Sequence, residues 1–143
     1  MIGLDANVVL RYLAEDDPRQ SKAARDLIEG GLTREEPGHI SAITVAEIAW
    51  VVKRLYAGSR EEIADAIEGL LAASTIVVEH RSFVRQAVQD FRESTAEFSD
   101  CVIGCVNAGA GCDTTFTFDR AAAKLARFRL LSRHLARTGW RSD

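Results

Sequence analysis

Residues 98–131 read FSDCVIGCVNAGAGCDTTFTFDRAAAKLARFRLL. From Ser99 to Ala108 the side chains are mostly small and apolar, which predicts a helix capped by Ser99, buried and packed closely against a sheet. Residues 114–118, TTFTF, are β-branched and aromatic and predict a strand. A short helix is expected over residues 120–126 and a further strand over 128–131. Helix, strand, helix and strand at this spacing indicate crossover connections and parallel strands covered by helices.

The same alternation extends upstream. Residues 2–9, IGLDANVV, form an apolar run broken only by Asp5 and Asn7 and predict a strand buried on both faces. Pro18 suits the first turn of a helix capped by Asp16 or Asp17 and running toward Gly30 and Gly31. A second strand is expected over 39–42. Residues 44–56 repeat apolar side chains at 45, 48, 49, 52 and 55, the helical period, and stop at Gly58. Ser59 caps a helix through 71, TIVVE at 75–79 is a third strand, and 82–93 is a helix with Phe83, Val84, Ala87, Val88 and Phe91 on one face. The whole predicts a three-layer α/β domain with a mainly parallel sheet of four to five strands flanked by helices.

The chain has 143 residues, 47% of them apolar and 27% charged, which suits one globular domain and excludes disorder, collagen and coiled coil for the chain as a whole. No apolar stretch approaches the roughly 20 residues that cross a bilayer. MIGLDANVVL carries Asp5 within its apolar run and no basic leader, so a cytoplasmic location is expected. Cys101, Cys105 and Cys112 form an odd set without a neighbouring histidine and are expected to be small core residues. The net charge of −3 is not the footprint of a protein that holds nucleic acid by bulk charge, so a nucleic-acid partner would meet a local patch.

In open parallel sheets ligands bind beyond the carboxyl ends of the strands. Two acids are expected on that rim: Asp5, in the C-terminal half of the first strand, and Asp119, directly after TTFTF. Asp100 opens the small-residue helix. Glu47 completes Thr44-Val45-Ala46-Glu47, the pattern of a capping box, yet stands among Ile43, Val45, Ile48 and Trp50. Taken singly, each acid has a structural reading as a cap, a dipole partner or one half of an ion pair. Together, four acids in apolar contexts at helix starts and strand ends would repel one another without a cation. An all-carboxylate set suits Mg²⁺ or Mn²⁺, and such ions serve phosphodiester cleavage.

Three ordered blocks carry a resemblance: IGLDANVVLRYL (2–13), SAITVAEIAWVVKR (41–54) and FSDCVIGCVNAGAGCDTTFTFDRAAAKL (98–125). In that order they resemble the PIN-domain ribonucleases and, more narrowly, are similar to the VapC toxins of bacterial toxin–antitoxin pairs. The resemblance implies a Rossmann-like nuclease domain over 1–131, with 132–143 as a C-terminal extension. By position, the family's acids fall on Asp5, Glu47, Asp100 and Asp119, its small polar residue on Asn7, and its threonine on Thr117. It implies a Mg²⁺- or Mn²⁺-dependent endoribonuclease in which Asp5, Glu47 and Asp100 hold the principal metal and Asp119 completes a second site or orients the water. In-line attack would then leave a 5′-phosphate and a 3′-hydroxyl. It also implies a homodimer and a cognate VapB-type antitoxin whose C-terminal segment sets an arginine against the acids.

Arg11 follows the first strand and is a candidate phosphate contact. Arg133, Arg137 and Arg141 recur every four residues in the extension and would line one helix face, as an RNA contact or as a solvated surface. His39, His80 and His134 are scattered and take no role. Two alternatives remain: a catalytically weak PIN-type RNA- or protein-binding module, and a haloacid-dehalogenase-like phosphatase. Against the phosphatase, the position of its second acid is Asn7, and Lys53 falls inside a predicted helix.

Overall fold

The computed structural model describes residues 1–131. The expectations for Arg133, His134, Arg137 and Arg141, and for the extension as a whole, lie outside the described residues. Five short strands alternate with helices: β1 (Ile2–Gly3), α1 (Ala6–Ala14), α2 (Pro18–Arg25), β2 (Gly38–Ile40), α3 (Ala42–Leu55), α4 (Arg60–Ala72), β3 (Ile76–Val78), α5 (Arg81–Arg92), α6 (Phe98–Gly109), β4 (Thr115–Thr117) and β5 (Phe128–Leu130). A π turn (Asp26–Gly31) extends α2, and a 3-10 turn (Ala122–Lys124) joins β4 to β5.

Every strand pair is parallel, as crossover connections require. The strands form two ladders instead of one: three in the order β1-β2-β3, and the pair β4-β5. Ile2 stands opposite Gly38 and Gly38 opposite Ile76, while Thr115 stands opposite Phe128. α1 packs on α2 and α3, α3 also meets α4 and α6, and α5 lies against both α4 and α6. Val9, Ile40, Val45, Ile48, Ile67 and Val84 are almost fully buried at the centre of the core.

The first segment departs most from expectation. The strand ends at Gly3, and the helix begins at Ala6, so Asp5 is the cap of α1 and not a strand residue: its Oδ1 accepts from the Val8 amide at 3.1 Å. Ala6, Val9 and Leu10 are buried at helical spacing, and that burial overrides the strand preference of Val8 and Val9. Ser41 caps α3, accepting from the Thr44 amide at 3.1 Å, so the expected box of Thr44 and Glu47 is not the helix start. Glu97 occupies the cap position of α6, with no side-chain cap bond, where Ser99 was expected. The helix expected over 120–126 shrinks to the 3-10 turn. The box formed by Ser59 and Glu62 at the start of α4 agrees with expectation.

Cys101 and Cys105 are buried, and burial pushes their thiols up to about 12 and about 11, so neither is a reactive thiolate. Cys112 is exposed, against expectation, because it follows the end of α6.

Small residues in α6 let β5 approach. A methyl group on Gly104 would stand 2.5 Å from Cε2 of the buried Phe128 ring, whereas one on Gly69 in α4 meets nothing within 4 Å. Alanine gains up to about 1 kcal/mol over glycine in a helix, and overpacking costs about 1–3 kcal/mol. Gly69→Ala should therefore raise the urea midpoint, and Gly104→Ala should lower it, with a net loss of stability of up to about 2 kcal/mol. Equal shifts of the same sign would show that Phe128 does not pack against α6.

Candidate metal centre

The rim acids fall into separate sets. The first is Asp5 alone, which lines a groove of about 360 Å³ between α1 and α2 with Asn7, Val8, Arg11, Gln20 and Ala24 among others. Asp5 sits there because it caps α1, which engages Oδ1 and leaves Oδ2 without a partner among the described residues. Asn7 is exposed in the first turn of the same helix. Arg11 is not a free cation: its Nη1 donates to both oxygens of Asp16 at 2.8 and 2.9 Å, and its Nε donates to Gln20 at 2.7 Å. Tyr56 donates to the same Asp16 at 2.7 Å, so Arg11 serves to join α1, the start of α2 and the end of α3.

The second group forms where α6 starts and β4 ends. Asp100 lies in the first turn of α6 and is partly buried. Loss of solvent pushes its carboxyl above the usual carboxylate range, and the negative charges of Asp119 and Glu97 add to the shift. Asp119 is held by its own turn: its amide donates to Thr117 Oγ1 at 3.0 Å, and its Oδ1 accepts from the Ala122 amide at 2.8 Å. Thr117 therefore fixes the backbone that carries Asp119. Glu97 forms an exposed ion pair with Lys53 across the packed pair α3 and α6.

Glu47 points to solvent from α3 and has no hydrogen bond or ion pair among the described residues. Its helix packs beside the start of α6, where Ala46, Ala49, Trp50 and Lys53 face Glu97, Phe98 and Ser99. A further rim acid, Glu79, was not singled out by sequence. It follows β3 and accepts from the Ala42 amide at 3.0 Å, completing the cap of α3. Its position at the end of TIVVE was the available signal.

Asp100 and Asp119 are thus the two expected acids brought within electrostatic reach of each other. Among the described residues no three acid, histidine or cysteine side chains stand together as a preassembled cage. Mg²⁺ commonly takes only one or two carboxylates and keeps several waters. A partly desolvated carboxyl whose ionisation is opposed by a neighbouring carboxylate is the electrostatic condition that a divalent cation relieves. Both groups are carboxylate oxygen donors, the type that a hard cation takes. No helix among the described residues is long and apolar enough to cross a membrane. Residues 2–128 match the PIN domain family. No curated protein matches the chain.

Proposed function

Because the chain belongs to the PIN domain family, a nuclease-type fold whose nucleases typically use divalent metal ions, we propose that it is an endoribonuclease dependent on Mg²⁺ or Mn²⁺ and the toxin of a toxin–antitoxin pair. The observation that carries the nuclease reading is the family match over residues 2–128, and the pair Asp100 and Asp119, where α6 starts and β4 ends, is where we put its centre. The three ordered sequence blocks support the narrower toxin reading. On that reading the protein works in the cytoplasm as a homodimer restrained by a VapB-type antitoxin.

Asp100 and Asp119 would hold the cation, with Asp5 Oδ2 and Glu47 as further ligands. When bound, the cation would lower the pKa of the attacking water and offset charge developing on the phosphate. Thr117 keeps Asp119 in register by accepting from its amide. Asp5 can contribute one oxygen while the other keeps capping α1, so ligation need not unwind the helix. Lys53 pairs with Glu97 beside the start of α6. Asn7, which lines the same groove, would support Asp5 as the small polar residue beside it.

The absence of a preassembled three-acid cage among the described residues favours one second reading, a binding module of weak activity. Both are tested by incubating total bacterial RNA with the purified chain and Mg²⁺ or Mn²⁺, with EDTA, and with Asp5→Asn. Discrete fragments that require metal and Asp5 support the nuclease. Binding of RNA without cleavage under any metal supports the module. Fragments that require metal but are made equally by the Asp5→Asn protein overturn the site, whereas fragments insensitive to EDTA and shared by that protein mean contamination.

A further inference from the structure

We infer that Phe118 is a stacking platform for a nucleobase of single-stranded RNA, with Arg120 meeting a backbone phosphate beside it. This rests on the nuclease reading and narrows its substrate class. Phe118 is 79% exposed, more than any other aromatic side chain among the described residues, and it lies between Thr117 and Asp119. Its neighbours are fixed on both sides. The Thr117 carbonyl accepts from the Leu131 amide at 2.8 Å and its hydroxyl from the Asp119 amide at 3.0 Å, while the Asp119 carbonyl accepts from the Ala123 amide at 3.0 Å. The turn therefore holds out a large apolar ring in one backbone geometry, directly before Asp119, whose charge bears on Asp100. A ring so exposed contributes little to the core, so its place in the turn is not explained by folding.

The charge around it agrees with a polyanion. Arg11, Arg25, Arg92 and Arg127 are all committed to carboxylates. Arg120, Lys124 and Arg129, on and beside the same turn, have no hydrogen bond or ion pair among the described residues. This places free cations beside a carboxylate pair that would otherwise repel phosphate. Aromatic rings bind nucleic acid by stacking on unpaired bases, whose faces a duplex keeps covered. The surface thus fits a single strand crossing the end of β4.

The test uses the full chain and a ten-nucleotide single-stranded RNA carrying 2-aminopurine, with Ca²⁺ in place of the catalytic ion, beside a blunt RNA duplex. The wild-type protein should quench the fluorophore. Phe118→Ala and Phe118→Leu should remove the quench and weaken single-strand binding about tenfold, leaving duplex binding and the melting temperature unchanged. Phe118→Trp should restore both. With Mg²⁺ or Mn²⁺ the loss in Phe118→Ala should fall on KM, with kcat retained. An unchanged quench and affinity in Phe118→Ala, while the wild-type protein still cleaves, would overturn the platform and leave the nuclease standing. So would a change in oligomeric state with RNA binding intact, since Phe118 would then contact a second protein chain. A wild-type protein that neither binds nor cuts RNA would overturn the nuclease reading, and the platform with it.

Discussion

Asp100→Asn should reduce metal-dependent RNA cleavage by at least about a hundredfold, since losing even a partner of a metal ligand costs about 10–100-fold. The same change should leave the metal-free protein as stable or more stable at neutral pH. Asp100 is an acid whose folded-state pKa lies above its unfolded value, so ionisation works against the fold. That penalty is absent below the unfolded carboxylate range. It grows as pH rises toward the higher folded value and is complete above it. The metal-free wild type should therefore gain stability relative to Asp100→Asn as pH falls through that window. Melting curves between acidic and neutral pH, with and without Mg²⁺, check the sign. A variant that unfolds at neutral pH would identify Asp100 as a structural partner and remove it from the site.

Arg60→Ala should be the most damaging change outside the rim. The guanidinium opens α4, where Nη2 donates to the carbonyl of Phe91 at 2.6 Å and to that of Ala96 at 2.9 Å. The guanidinium carbon also lies 3.7 Å from the centroid of the Phe91 ring, which meets Phe98 edge-on at 5.7 Å. Removing the side chain deletes charge-assisted hydrogen bonds and a cation–π contact, and leaves the Ala96 carbonyl unpaired while that of Phe91 keeps a long bond from the Ser94 amide, at a cost of about 2–4 kcal/mol. For a domain of this size that lowers the melting temperature by on the order of 10 °C. Arg60→Lys should recover only part of the loss, because an ammonium lacks the planar fork that stacks and donates together. A melting temperature within about 2 °C of wild type would show that another contact anchors the segment leading into α6.

Much of the order of elements was legible because burial imposes periodicity. Apolar side chains at 45, 48, 49 and 52, and at 84, 87, 88 and 91, gave α3 and α5, and turn chemistry at Pro18 and Ser59 gave the starts of α2 and α4. The first segment was misread for a physical reason. Ile2 to Val9 contains both a strand run and a helical triad, Ala6, Val9 and Leu10, and only the bond from the Val8 amide to Asp5 shows where one gives way to the other. Caps are ambiguous for a similar reason. Ser41 and Thr44 are both good caps three residues apart, and the choice depends on where β2 ends. At the site, sequence order pointed to four acids, but which of them meet is set by packing between α6 and β4, remote in the pattern. The partners of Arg11 and the capping role of Glu79 depend on contacts across 9 and 37 residues or fewer, and neither has a local signature.

The division of the strands into two ladders bears on how the protein would fail. β4 and β5 form a two-stranded ribbon, which is marginal by itself. It is tied to the rest by the Phe128 ring against Gly104, by Asn107 donating to Thr115 at 3.0 Å, and by Arg127 donating at 2.8 Å to Asp90, which also accepts from Gln86 at 3.0 Å. Asp100 belongs to the body of the fold and Asp119 to the ribbon. A local opening that costs less than global unfolding would separate the two carboxylates while the three-stranded core stayed intact. Inactivation on heating should then precede the loss of helical signal. A cation spanning both acids would suture the ribbon to the core, and thereby couple catalytic competence to the lifetime of the ribbon's docking.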